Sequence, residues 1–186
     1  MPFIFTKCPI EGLYEIQPKV FGDERGYFFE CYSERDFINT GITKKFVQDN
    51  QSMSVKATLR GLHFQKKHRQ GKLVRAIEGE VFDVAVDIRK DSATYGKWHS
   101  VILSGKKQNQ FYIPPGFAHG FLALTDNVIF AYKCTDFYYP EDEGGIIWDD
   151  PEINIKWPYP EMEYKLSEKD KKLPKLSEIN DLVNRQ

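Results

Sequence analysis

Apolar and polar residues alternate with a period of two through the middle of the chain. The pattern is clearest in Val81-Phe82-Asp83-Val84-Ala85-Val86-Asp87-Ile88, where Phe82, Val84, Val86 and Ile88 fall on one side. Successive side chains of a strand point to opposite faces, so this run predicts a strand with that one face buried. Similar runs cover 27–32, 59–65, 73–77, 98–103, 110–113, 121–124 and 128–134. Between them stand the turn signals Glu78-Gly79, Ser104-Gly105, Pro114-Pro115-Gly116 and Thr125-Asp126-Asn127. Helical spacing is scarce. Short helices are expected after Ser33, which precedes Glu34, Arg35, Asp36 and Phe37, and after Ser167, which precedes Glu168, Lys169 and Asp170, because serine caps a helix start and acids suit its first turn. Many short strands with few helices predict an all-β sandwich or small barrel, since a parallel sheet needs long helices between its strands. From Pro151 onward the chain is polar and punctuated by proline, which predicts a segment that wraps or caps the barrel.

Length and charge narrow the picture. A chain of 186 residues suits one domain, taken as 1–186. A formal net charge of -1 and a pI near 6.4 offer no basic surface for nucleic acid, so any cationic site must be local. Cys8, Cys31 and Cys134 are widely separated and form no C-x-x-C pair, which points to a reducing compartment and to ordinary packing. No apolar run approaches the length of a membrane span, and the start, Met1-Pro2-Phe3-Ile4-Phe5-Thr6-Lys7, lacks the plan of a signal peptide, so a cytoplasmic location is expected.

Candidate chemistry begins with the histidines. His68, in Lys66-Lys67-His68-Arg69, and His99, in Lys97-Trp98-His99-Ser100, read as surface residues. His63 differs, standing in Arg60-Gly61-Leu62-His63-Phe64-Gln65, where a glycine and two ionisable groups interrupt an apolar run. Strict alternation puts Arg60 and His63 on opposite faces, so service to one pocket requires a kink near Gly61. His119 follows the rigid turn Ile113-Pro114-Pro115-Gly116-Phe117-Ala118, and Lys72 opens an apolar strand, a place that an edge lysine also fits. A catalytic metal needs about three protein ligands, often including a His-x-His pair in small barrels, whereas His63-Phe64-Gln65 supplies a single histidine. No metal is expected.

Gly22-Asp23-Glu24-Arg25-Gly26, Val47-Gln48-Asp49-Asn50, Arg60-Gly61-Leu62-His63-Phe64-Gln65, Gln70-Gly71-Lys72-Leu73-Val74-Arg75 and Pro115-Gly116-Phe117-Ala118-His119-Gly120-Phe121 together resemble the dTDP-4-dehydrorhamnose 3,5-epimerase family, and the resemblance runs from about Phe5 to Leu173. The resemblance implies a cupin-type jelly-roll barrel and a homodimer with exchanged N-terminal strands. It implies dTDP-4-dehydro-6-deoxy-D-glucose as substrate, dTDP-4-dehydro-L-rhamnose as product, and no cofactor. By the same resemblance His63 is the base, Asp170 its partner, Tyr132 the acid on the opposite sugar face, and Lys72 the cation beside the ketone. The implied binding residues are Arg25, Glu30, Gln48, Asp49, Asn50, Arg60, Lys72, His119, Glu143 and Lys169, with Arg25 and Glu30 serving the partner's site.

These residue types suit the implied reaction. A ketone at C4 acidifies the protons on C3 and C5, so an imidazole near its ordinary pKa of about 6.5 can remove them without a redox cofactor. An ammonium at the ketone stabilises the enolate, and inversion needs a proton from the other face, which a tyrosine tuned by a nearby cation can give. Arg25 and Arg60 suit a diphosphate, with His119 as an added donor, and Tyr27, Phe28 or Tyr138 could stack on thymine. A mono-epimerase or ketoisomerase on the same scaffold, and a non-catalytic sugar-binding cupin, are the alternatives.

Overall fold

The computed structural model describes residues 2–179. In chain order the strands are β1 (Phe3–Lys7), β2 (Tyr14–Pro18), β3 (Phe21–Asp23), β4 (Gly26–Phe28), β5 (Gln48–Ser54), β6 (Leu59–Gln65), β7 (Lys72–Glu78), β8 (Glu80–Asp87), β9 (Trp98–Ser104), β10 (Gln110–Ile113), β11 (Phe117–Ala123), β12 (Val128–Cys134) and β13 (Glu143–Gly145). One helix, α1 (Glu34–Asn39), follows β4 at the predicted place after Ser33. The second expected helix start instead leads into a 3-10 turn, Asp170–Lys172.

Six strands form one antiparallel sheet in the order β1-β2-β10-β7-β12-β5, and five form another in the order β13-β6-β11-β8-β9. From β5 to β8, and again from β9 to β13, each successive strand crosses to the other sheet. That alternation, with the two inner faces packed on each other, is the cupin-type jelly roll that the sequence led us to expect. Val74, Val81, Leu103, Phe111, Phe121 and Phe130 fill the space between the sheets. A short hairpin of β3 and β4 pairs only with itself and exposes Phe21, Tyr27 and Phe28.

Two further apolar layers lie outside the barrel. Phe37 of α1 packs with Phe3, Ile16 and Tyr112 on the outer face of the six-stranded sheet. On the other side, Ile146, Ile153, Trp157, Leu176 and Ile179 cover Leu62, Val84, Val86 and Leu122, so the C-terminal segment wraps the five-stranded sheet as expected. This layer corrects the reading of β8 as a strand with one buried face. Val84, Val86 and Ile88 are buried beneath the wrap, while Val81, Asp83, Ala85 and Asp87 are buried on the side that faces the barrel. Asp87 tolerates this because Arg89, Ser92 and Thr94 all donate to it. Burial would raise its pKa, but those hydrogen bonds outweigh burial and push it down to about 2.

Strand β5 carries no apolar alternation and escaped the sequence pattern, as did β1 to β3. Of the run at 27–32, only the stretch up to Phe28 is strand. The kink expected near Gly61 is present. His63 pairs with His119 and Arg60 with Phe121, so Gly61 and Leu62 together face Gly120 alone. Such a bulge turns Arg60 and His63 toward the same side. Gly61 sits at φ +115, and a Cβ there would come 2.6 Å from Gly120 Cα and 2.7 Å from the His119 carbonyl oxygen. Gly61→Ala is therefore expected to destabilise the protein by about 2–4 kcal/mol, through backbone strain and crowding of β11. Urea denaturation measures it, and an unchanged midpoint would contradict the close approach.

Candidate active site

At the polar end of the barrel the two sheets part around a cavity of about 490 Å³. Strand β6 contributes Arg60 and His63, β7 Lys72, β11 His119, β12 Tyr132 and β13 Glu143, while the C-terminal wrap lays Ser167, Lys169 and Asp170 along the edge. A second cavity of about 300 Å³ borders the same His63, Lys72, Tyr132 and Glu143 and adds Gln48, Asn50 and Tyr138. Eight of the residues singled out in the sequence thus meet around one cavity, and three more extend it.

His63 and Asp170 are in contact, Nε2 to Oδ1, at 2.6 Å. Asp170 is buried and held in turn by its own backbone N–H on Ser167 Oγ and by the Gly61 backbone N–H on its carboxylate. Burial alone would raise its pKa, but the hydrogen bonds it accepts, that of His63 foremost, outweigh burial and keep the carboxylate ionised. Tyr132 projects from the facing sheet. Burial raises its phenol, the Arg60 cation opposes the rise, and the net effect keeps it protonated at neutral pH. Burial lowers the pKa of Lys72, opposed by the nearby Cys134, Asp83 and Glu143.

Glu143 joins the wrap to the barrel mouth, since it pairs with Lys169 and accepts a hydrogen bond from the Tyr138 hydroxyl at 2.7 Å. Gln48 donates to Asn50 Oδ1 at 3.0 Å, two residues apart on the inner side of β5. Asp49 lies between them and so points the other way, to an ion pair with Lys133 at 2.8 Å. It borders instead a third cavity of about 360 Å³ on that side, together with Asn50 and Tyr132. Arg25 and Glu30 do not reach the cavity of their own chain either. Arg25 is 85% exposed on the β3–β4 turn and paired with Asp23, and Glu30 is exposed just beyond the hairpin. Among the stacking candidates, Tyr138 borders the second cavity while Tyr27 and Phe28 stand on the hairpin.

The remaining histidines divide as follows. His68 is exposed and stacks on Tyr139, with ring centroids 4.1 Å apart. His99 is half-buried and edge-on to Phe111, so it belongs to the barrel interior and not to the surface as expected, because β9 presents it on the same side as Val101 and Leu103. His119 is buried at the cavity floor, its Nε2 between the Asp83 carboxylate oxygens at 2.9 and 3.0 Å. Asp83 was not singled out in the sequence, because the apolar face of its strand made it look solvent-facing. Ser52, Phe121, Phe130 and Ser167 also line the cavity without a prior signal. Among the described residues no three His, Cys, Asp or Glu side chains gather to hold a metal ion, and no helix is long and apolar enough to cross a membrane.

Comparison with known proteins gives one family. A family model described as dTDP-4-dehydrorhamnose 3,5-epimerase matches residues 7–178. The chain is similar to the dTDP-4-dehydrorhamnose 3,5-epimerase of Methanothermobacter thermautotrophicus, 54% identical over 95% of this chain and 96% of that one. It is also similar to the enzyme of the same name from Salmonella typhimurium, 50% identical over 94% and 96%. Among solved structures, the dTDP-6-deoxy-D-glucose-3,5-epimerase of Legionella pneumophila in complex with dTDP-4-keto-L-rhamnose superposes with a TM-score of 0.95 at 49% identity, covering 99% of this chain and 98% of that one.

The Tyr138–Glu143 contact can be tested on its own. The Glu143 carboxylate that accepts from Tyr138 pushes the phenol up to about 12. Removing that negative charge makes the phenolate easier to form, so Glu143→Gln should bring one tyrosine back toward its ordinary value of about 10. Ultraviolet titration of the variant against the wild type counts it, and identical curves would show that the contact does not persist in solution.

Proposed function

The chain belongs to the dTDP-4-dehydrorhamnose 3,5-epimerase family, and from that premise we propose how its residues divide the work. The reaction inverts C3 and C5 of dTDP-4-dehydro-6-deoxy-D-glucose to give dTDP-4-dehydro-L-rhamnose. One observation supports the division of roles above the others: the His63–Asp170 pair and Tyr132 border the same cavity from opposing sheets, with Lys72 beside them.

On this reading, His63 takes the proton from the carbon next to the C4 ketone. Asp170 holds the imidazole in one orientation and stabilises the imidazolium that forms. The C4 oxygen gains negative charge as the carbon loses its proton, and the Lys72 ammonium faces that oxygen, where its attraction is greatest in the transition state. Tyr132 then delivers a proton to the opposite face of the carbon, which inverts it. The Arg60 cation eases loss of that phenolic proton. Because C3 and C5 both flank one ketone, the same base, acid and cation serve both inversions.

Binding follows from the two joined cavities. Arg60 and Lys169 are the cations at the rim for the diphosphate, and Gln48, Asn50 and Glu143 supply polar contacts nearby. Tyr138, which borders the second cavity, is assigned to stack on thymine. His119, at the floor and committed to Asp83, suits a sugar hydroxyl better than the diphosphate. Arg25 and Glu30, on and beside a hairpin whose Phe21, Tyr27 and Phe28 are exposed, are assigned to the site of a partner in a homodimer with exchanged N-terminal strands. Asp49, on the outer face of its sheet, is assigned to that shared region. The cellular location of this reading is cytoplasmic.

Proton NMR of the reaction in deuterium oxide tests substrate, chemistry and roles together. Deuterium is expected at both C3 and C5 of the product; incorporation at one carbon would leave a mono-epimerase. His63→Ala should abolish exchange while nucleotide affinity, read by calorimetry, stays within a few-fold. Lys72→Ala should slow turnover by two to three orders of magnitude, about 3–4 kcal/mol of transition-state stabilisation. Full turnover by His63→Ala would overturn the assignment of the base.

A further inference from the structure

Asp83 is a carboxylate that the roles above leave unused, and it is completely buried in the middle of β8. A charge in that position costs several kcal/mol of desolvation unless compensating groups surround it. The compensation visible here has two parts. His119 reaches both carboxylate oxygens through Nε2, and its ring lies against Phe130 at 6.2 Å with the planes only 17° apart, so the imidazole is held between a carboxylate and an aromatic face. The second part is Lys72, which lines the same cavity as His119 from the facing sheet; burial raises the Asp83 carboxyl, and the charge and hydrogen bond of His119 and then the charge of Lys72 oppose that rise.

The surroundings of Lys72 show why this matters. Around it stand Asp83 on β8, His119 on β11, His63 on β6, Tyr132 and Cys134 on β12, and Glu143 on β13. Tyr132 and Cys134 are both driven toward their neutral forms by burial. Asp170 is committed to His63, and Glu143 to Lys169 and Tyr138. Asp83 and Asp170 each meet a histidine and no lysine or arginine, and of these two it is Asp83 whose charge acts on Lys72.

We propose that Asp83 is a positioning residue for the epimerisation: it is the buried counter-charge that keeps Lys72 an ammonium at the ketone, and it fixes His119 in the tautomer that carries its proton on Nε2. In that tautomer Nδ1 has a free lone pair, so His119 accepts a hydrogen bond from a sugar hydroxyl and does not donate one to an oxyanion. The inference rests on the assignment of Lys72 to the ketone and deepens it.

The test uses Asp83→Asn, which keeps the size of the side chain and removes its charge. Without that charge Lys72 loses its proton at lower pH, so the alkaline limb of the kcat profile should move down by about one pH unit. Turnover at mildly alkaline pH should fall about tenfold, with KM within about twofold of the wild type. In protein carrying carbon-13 in its lysine side chains, the Lys72 signal should titrate about one unit lower in the variant than in the wild type. A rate loss with an unmoved pH profile would mark a merely structural role, and an unchanged Lys72 titration would overturn the counter-charge. Should the variant not fold, nitrogen-15 shifts of His119 in the wild type decide: a proton on Nε2 supports the proposal, and a proton on Nδ1 alone overturns it. The Lys72 titration is independent of turnover. Full activity of Lys72→Ala would therefore sink the assignment to the ketone while leaving the counter-charge to be judged separately.

Discussion

Two residues of β6 stand opposite one of β11, and most of the site depends on that mismatch. Without the bulge at Gly61, the pleat would send Arg60 and His63 to opposite sides of the sheet. With it, both reach one cavity, and the freed Gly61 N–H turns to the Asp170 carboxylate. The backbones approach so closely there that neither Gly61 nor Gly120 has room for a side chain. One irregularity in the ladder thus presents His63, holds Asp170 against it and places the Arg60 cation across from Tyr132.

The ionisable side chains of the cavity come in partnered pairs. His63 meets Asp170, His119 meets Asp83, and Glu143 meets Lys169. On the proposed mechanism, proton removal creates two new charges at once, an imidazolium at His63 and an enolate at the sugar. The first appears against Asp170 and the second against Lys72, so each forms beside an opposite charge that is already in place. Little reorganisation is then needed at the moment of reaction, which is where preorganised sites gain their advantage over water.

Strands with an apolar side were readable in the sequence, β6, β7, β11 and β12 at the site among them, and β5, which lines cavities without one, was not. The runs at 59–65, 98–103, 110–113 and 128–134 show the expected alternation because one side of each meets the apolar interior. In β5, Gln48, Asn50 and Ser52 line cavities while Asp49, Gln51 and Met53 face outward, so neither side carries an apolar signature. Asp83 was hidden for the converse reason: the apolar side of β8 was taken as the buried one, although it packs under the wrap and the other side faces the barrel. The kink at Gly61 followed from the residues themselves. Asp170 and Tyr132 were reached only through the family motifs, because nothing in local spacing joins position 63 to position 170.

That long separation is itself a consequence of the fold. The five-stranded sheet needs a cover, since Leu62, Val84, Val86 and Leu122 would otherwise meet water on its outer side. The wrap supplies Ile153, Trp157, Leu176 and Ile179 for this purpose, and the same segment passes the barrel mouth at Lys165, Ser167, Lys169 and Asp170. Ile146 exchanges backbone hydrogen bonds with Leu62, the neighbour of His63, and Leu59 bonds to Lys165, so β6 is tied to this segment on both sides of its bulge. Covering an apolar sheet and orienting the imidazole are therefore one task. Loosening the wrap would expose the sheet and free the His63 ring together, which couples the stability of this end of the barrel to the geometry of the His63–Asp170 pair.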